Sequence, residues 1–302
     1  KGMLISKAVL SDYISYIMNF ATGISGLKVV ADAGNGMAGL TLSKAFRYLS
    51  CRLVPLYFKP DGSFPNHEAN PLKKEALTDL QKKVVEEKAD FGVAFDGDAD
   101  RLGFVDENGE IISNDLITAL IADEFLRENK GEKILYDLRS SWIVKEEISK
   151  KGIPIKCRVG HAFIKQQMRD ENALFAGELS GHFYFRDHFF TESDLLPMII
   201  IMRLLCHRGK PLSELVRPLR RYFASGEINS EVPDKDAKIL ELEKIYNNGN
   251  IEKLDGLTVE YNDWWFNVRQ SNTEPLLRLN VEAKTKELME KKRDELLDAI
   301  RG

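Results

Sequence analysis

Strand-like and helix-like segments alternate along the first two thirds of the chain, and this alternation restricts the fold to βαβ units built on parallel sheets. Residues 27–31 read as a buried strand, 40–50 as a helix and 52–57 as a second strand. A loop rich in Pro, Gly and Asn (59–71), a helix near 74–88 and a strand at 90–95 complete a first block. The pattern then restarts, with strands at 133–137, 155–158 and 173–177 separated by helices at 141–151 and 161–171. The two blocks meet near residue 111, after the turn Asp106-Glu107-Asn108-Gly109. Beyond Pro218 the order changes to a long strand (221–232), a helix (235–248), two strands within 257–268, a strand at 276–283 and a final helix. Ahead of all this, Leu10, Tyr13, Ile14, Ile17 and Phe20 carry a helical spacing over 6–22 that Gly23 stops. The expected fold is therefore α/β: two successive βαβ mixed-sheet domains followed by a smaller α+β C-terminal domain. The expected divisions are a linker helix (1–22) and units at 23–111, 112–218 and 219–302.

Composition narrows the class of function. The 302 residues carry 43 basic and 47 acidic side chains, a net charge of −4, so no basic excess is available to neutralise nucleic-acid phosphates. Cys51, Cys157 and Cys206 lie far apart without a CxxC pair, which indicates neither a disulfide framework nor a zinc knuckle. The longest apolar run, 195–202, contains Pro197 and ends at Arg203, well short of the roughly 20 residues of a membrane span. With no signal peptide at its start, the sequence reads as soluble, reduced and cytoplasmic, with neither nucleic-acid nor membrane partners. The chain opens on Lys1 rather than Met and runs at once into a helix-like stretch.

The sharpest local signal is Asp96-Gly97-Asp98-Ala99-Asp100-Arg101, which follows the apolar strand ending Gly92-Val93-Ala94-Phe95. Three carboxylates gather at the carboxyl edge of a sheet, the edge where α/β sheets bind ligands. Such charges repel unless a cation neutralises them, and hard oxygen ligands suit Mg²⁺. The plain alternative is a solvated acidic turn; alternation of the Asp residues with the small Gly97 and Ala99 favours metal. A second glycine segment, Asp32-Ala33-Gly34-Asn35-Gly36-Met37-Ala38-Gly39, contains a formal GxGxxG. The acidic residue that a dinucleotide site requires at the end of the next strand is missing, since that strand closes Tyr57-Phe58-Lys59-Pro60. A tight strand-to-helix turn therefore ranks above a nicotinamide cofactor.

Four further segments sit at strand ends. Glu178 and Ser180 in Gly177-Glu178-Leu179-Ser180-Gly181-His182 can hydrogen-bond a polyol, and His182 can transfer protons near neutral pH. The same segment reads equally as a β-turn with a surface histidine. Gly160-His161-Ala162-Phe163-Ile164-Lys165 opens a helix where an anion can bind, or where His161 simply starts a helix. Arg139-Ser140-Ser141 adds a cation and two hydroxyls at the same edge. Arg269-Gln270-Ser271-Asn272-Thr273-Glu274-Pro275 joins two strands and offers the donors that wrap a phosphate dianion, with a polar hairpin loop as the alternative. Trp264-Trp265-Phe266 before it reads as sheet packing.

Taken in order, DGDADR, GHAFIK, GELSGH and RQSNTEP resemble the α-D-phosphohexomutases, most of all the bacterial phosphomannomutase/phosphoglucomutase group, over essentially the whole chain. The resemblance implies a four-domain enzyme that interconverts hexose 1-phosphate and hexose 6-phosphate, with mannose or glucose as the sugar. An active-site phosphoserine would form a hexose 1,6-bisphosphate intermediate. Asp96, Asp98 and Asp100 would then hold Mg²⁺, Arg101 would lie beside the transferred phosphoryl group, and Glu178 and Ser180 would grip sugar hydroxyls with His182 as a proton partner. Arg139 and His161 would contact the sugar or its distal phosphate, while Arg269, Ser271, Asn272, Thr273 and Arg278 would clamp the phosphate that does not react. The chain departs from the family in two respects. Arg139 stands where some relatives have lysine, and the Thr-x-Ser-His-Asn-Pro serine loop is absent from these residues. The chain thus looks like domains two to four, with the N-terminal serine domain as its missing partner, and is expected to be inactive alone. The alternative reading is a catalytically inactive module that binds sugar phosphates; the intact acidic loop speaks against it.

Overall fold

A computed structural model describes residues 2–271 and 275–302. The apolar face of Leu10–Met18 (α1) buries Ile14 and Ile17, a shorter helix than the 6–22 expected. A first mixed sheet follows, built from Ser25–Asp32 (β1), Ser50–Leu56 (β2), Phe91–Phe95 (β3), Leu102–Asp106 (β4) and Ile111–Ile112 (β5) in the order β2-β1-β3-β4-β5. The core strands β1 and β3 pair in parallel because Ala38–Ala45 (α2) and Thr78–Glu87 (α3) supply the crossovers. β4 and β5 return antiparallel. The Asp106 side chain builds their turn by accepting the Asn108 and Glu110 amides at 2.9 and 3.0 Å. Ile112 pairs with Phe104, so this sheet runs one residue past the junction expected at 111.

The second sheet repeats the plan. Asn114–Glu128 (α4) leads into Lys133–Asp137 (β6), Trp142–Ser149 (α5), Ile153–Cys157 (β7), His161–Glu171 (α6), Phe175–Gly177 (β8), Phe183–Phe185 (β9) and Thr191–Glu192 (β10). The strands lie in the order β10-β9-β8-β6-β7, with β6, β7 and β8 parallel. The apolar run 195–202 belongs to Leu196–Arg208 (α7), whose buried side chains include Met198 to Met202. One apolar cluster runs from Ile14 through Phe104 and Phe183 to Leu219, so both α/β sheets share a continuous core. No helix among the described residues is long and apolar enough to cross a membrane.

Leu212–Val216 (α8) leads to the last unit. The long strand expected over 221–232 is instead two short ones, Phe223–Ala224 (β11) and Ile228–Glu231 (β12). Gly226, at φ +71°, breaks it. Both pieces pair with the same neighbour, Leu276–Ala283 (β16), beside Trp264–Gln270 (β15), Leu257–Glu260 (β14) and Asn250–Glu252 (β13). The sheet is antiparallel throughout. Lys235–Ile245 (α9) and Lys286–Arg301 (α10) cover it over a separate core that includes Trp264 and Phe266. The observed architecture is thus the expected one, two mixed α/β sheets and an antiparallel α+β unit.

Candidate active site

The acidic loop starts where β3 ends. Asp96 is buried and accepts both the Arg101 amide (3.1 Å) and Arg101 Nε (2.6 Å), so the loop is closed on itself. Ala99, at φ +69°, makes the turn that returns the chain to β4. One carboxylate oxygen from each of Asp96, Asp98 and Asp100 lies within 4.8 Å of the others. That is close enough for one small cation to gather the three oxygens with a slight inward movement, and hard oxygen donors of this kind suit Mg²⁺. Burial raises the Asp96 carboxyl above its ordinary range, the state a divalent cation relieves.

The segment Asp32–Gly39 supports this loop from below. The Met37 amide donates to Gly97 O at 3.0 Å, and a Cβ on Gly36 would stand 2.6 Å from that same oxygen. Glycine is required here so that two backbones can touch. Asp32 accepts the Gly34 amide at 2.8 Å and lies 3.0 Å from His67 Nε2, whose pKa this contact lifts to about 9. The glycine segment is a structural turn.

The second α/β unit meets the loop through Gly181. Leu102 N donates to Gly181 O at 3.1 Å, and Gly181 sits at φ +93° with no room for a Cβ beside Leu102 O. This contact sets His182 between the two units. Its Nε2 is 3.3 Å from Asp100 Oδ2, while Nδ1 is 2.9 Å from Ser180 Oγ and 3.3 Å from Glu178 Oε2. Burial pushes the imidazole down, but Asp100 and Glu178 outweigh it and hold the pKa at about 9. Glu178 resists burial in turn, since His182 and Arg139 hold it at about 2. The turn's side chains are thus bonded to one another and to the acidic loop.

Arg139 follows β6 and is buried against Asp137, whose Oδ2 accepts from Nη2 at 2.8 Å. Nη2 also reaches Glu178 at 3.2 Å, and Nη1 reaches Glu227 at 3.3 Å. Ser141 caps α5, its Oγ accepting the Ile143 amide. From the last unit, Arg269 Nη2 and Arg278 Nη1 donate to Glu227 at 3.0 and 3.2 Å, and Arg278 Nη2 donates to Ser271 at 3.1 Å. Asn272 and Thr273 lie outside the described residues.

These groups line one cleft of about 500 Å³, with Asp96, Asp98, Asp100 and Arg101 from the acidic loop and Arg139, Arg269, Ser271 and Arg278 from the second and last units. Glu178, Ser180 and His182 lie in the same lining. His161 does not join them; it stays exposed at the start of α6. Sequence reasoning missed Asp137 and Glu227. The first had a signal, an acidic residue closing a buried strand, whereas the second was hidden in the strand assigned to 221–232.

Comparison with known proteins decides the family. Residues 11–109, 113–222 and 227–299 match, in turn, the alpha/beta/alpha domain II, the alpha/beta/alpha domain III and the C-terminal domain described for phosphoglucomutase/phosphomannomutase. The chain belongs to the phosphoglucomutase/phosphomannomutase family. A phosphomannomutase of Methanocaldococcus jannaschii is 43% identical over 91% of this chain and 62% of its own length. One from Vibrio cholerae is 40% identical over 100% of this chain and 68% of its own length. The crystal structure of a phosphoglucomutase/phosphomannomutase family protein from Burkholderia thailandensis superimposes with a TM-score of 0.87 at 34% identity, over 96% of this chain and 64% of that one. The chain thus spans about two thirds of the length of these relatives. Its first two sheets fall in the regions matched to domains II and III, except for β5, which lies between them.

Proposed function

We propose that these residues form the metal, sugar and phosphate-clamp parts of a hexose phosphate mutase site. The reaction would interconvert the 1-phosphate and 6-phosphate of mannose or glucose through a hexose 1,6-bisphosphate. The phosphoryl donor, a phosphoserine, would come from outside these 302 residues. The observation that carries the reading is a single cleft whose lining joins an acidic triad from the first unit to guanidiniums from the second and last units. A sugar with phosphate at one end and a reacting oxygen at the other needs both.

Each residue then has a physical task. Asp96, Asp98 and Asp100 hold Mg²⁺, which when bound neutralises phosphate charge. Arg101, kept in line by Asp96, faces the phosphate oxygens. Glu178 and Ser180 accept and donate to sugar hydroxyls, with Arg139 fixing the Glu178 carboxylate in its ionised form. His182, protonated near neutrality, holds a proton beside both the sugar turn and the acidic loop. Arg269, Ser271 and Arg278 grip the distal phosphate, and Asn272 and Thr273 are assigned to the same clamp. His161 has the weakest claim, since it lies outside the cleft lining. Phosphoryl transfer depends chiefly on such positioning and charge neutralisation.

Calorimetric titration tests the assignment. Glucose 1-phosphate should bind the wild-type chain and glucose should not. Arg269→Met should cost about 3 kcal/mol of binding, on the order of a hundredfold, without changing Mg²⁺ affinity. Equal binding of sugar with and without phosphate would defeat the reading.

A further inference from the structure

Glu227 lies between β11 and β12, directly after the Gly226 break, and carries a carboxylate to the point where three guanidiniums from two units converge. Its Oε2 accepts from Arg139 Nη1 (3.3 Å) and Arg269 Nη2 (3.0 Å), and its Oε1 accepts from Arg278 Nη1 (3.2 Å). Arg139 does not depend on this contact for charge balance, because Asp137 and Glu178 already face it at 2.8 and 3.2 Å. Glu227 therefore faces the charge of Arg269 and Arg278 in addition to that of Arg139. Arg269 is buried, and among the described residues its Nε has no hydrogen-bond partner, a donor left over beside a cleft. Buried donors are rarely left so unless a ligand completes them.

Two oxygens of one anion, shared among forked donors, is also how a phosphate engages arginines. A phosphate dianion and a carboxylate cannot occupy the same guanidinium donors, and their like charges repel at close range. We propose that Glu227 is an internal stand-in for the substrate's phosphate: it holds Arg269 and Arg278 in the unliganded cleft and is displaced when a sugar phosphate binds. The inference rests on the reading of this cleft as a sugar-phosphate site and adds a residue that sets its affinity. The dianion brings more charge and more acceptor oxygens than the carboxylate it replaces. A singly charged anion of similar size gains little by the same exchange, so Glu227 selects for phosphate. A purely scaffolding glutamate predicts the reverse effect of substitution, because loosened arginines bind every anion less well.

The experiment is calorimetric titration of the 302-residue chain and its Glu227→Gln variant with glucose 1-phosphate and with inorganic phosphate. Glutamine keeps the size and one acceptor oxygen while removing the charge. The expected result is binding of both ligands about tenfold tighter in the variant, the size of effect that removing a nearby like charge gives in a partly exposed cleft. Glu227→Ala, which removes both acceptor oxygens, should tighten binding in the same direction. Unchanged or weaker binding in folded variants overturns the inference while leaving the cleft's function intact. Failure of both variants to fold also overturns it, since the carboxylate would then be a scaffold. Absence of glucose 1-phosphate binding in wild type and variants alike overturns the sugar-phosphate reading itself.

Discussion

The Arg139 guanidinium donates to Asp137 at 2.8 Å inside a wall where the aspartate is fully buried. The same Nη2 reaches Glu178 at 3.2 Å, so one cation satisfies the strand end of β6 and the Glu178–His182 turn together. Removing one partner of a buried charge pair strands the others without water. Arg139→Met should therefore destabilise the chain by about 3–5 kcal/mol in urea unfolding. A loss below about 1 kcal/mol would mean that water reaches Asp137 and Glu178 after all.

Asp98 is the most exposed of the acidic triad, which separates its proposed metal role from stability. Asp98→Asn should lower Mg²⁺ affinity by at least about tenfold in calorimetry while shifting the unfolding free energy by roughly 0.5 kcal/mol or less. Equal Mg²⁺ binding in the variant would remove the triad from the metal assignment.

The contact of Gly36 with the acidic loop has a steric consequence. A Cβ at this position meets Gly97 O at 2.6 Å and Asp96 O at 2.9 Å, and both are backbone atoms that cannot swing aside. Gly36→Ala should cost about 1–3 kcal/mol by overpacking and weaken Mg²⁺ binding with it. If the residue served a dinucleotide instead, Mg²⁺ affinity would be untouched.

Glu282 provides the pH dependence. It sits on β16, accepts the Trp142 amide and Trp265 Nε1 at 2.9 Å each, and thereby fastens the last unit to the start of α5. Burial raises its carboxyl to about 7. An acid whose folded pKa is raised binds its proton more tightly when folded. Its contribution to stability is present below the ordinary value near 4.5 and is lost as pH rises to 7. Unfolding free energy should fall by about 3 kcal/mol over that window from this group. Glu282→Gln should flatten the slope, and an identical slope in the variant would assign the effect to other groups.

Regular elements with strong periodicity were legible from sequence. The strand 276–283 and the helix 161–171 coincide with β16 and α6: Pro275 precedes the strand, and Gly160 and Asn172, both at positive φ, flank the helix. The breaks were harder to read. Gly226 interrupts what looks like one strand, and β12 resumes on the same neighbour, so the β pattern persists across the break. The acidic loop and the GELSGH turn were legible singly, since each follows an apolar strand. Their junction was not, because the Leu102–Gly181 contact joins residues far apart in sequence whose pairing leaves no local pattern. The three-arginine convergence on Glu227 was hidden for the same reason: its donors come from β6–α5, β15 and β16.

The central proposal is that this cleft binds a hexose phosphate but holds no phosphoryl donor of its own. The most direct measurement is ³¹P NMR of the 302-residue chain with Mg²⁺, glucose 1-phosphate and a trace of glucose 1,6-bisphosphate. The sugar-phosphate resonances should shift or broaden while no glucose 6-phosphate signal grows. Resonances unchanged at millimolar chain would contradict the cleft as a sugar-phosphate site, and steady conversion to glucose 6-phosphate would place the phosphoryl donor within these residues.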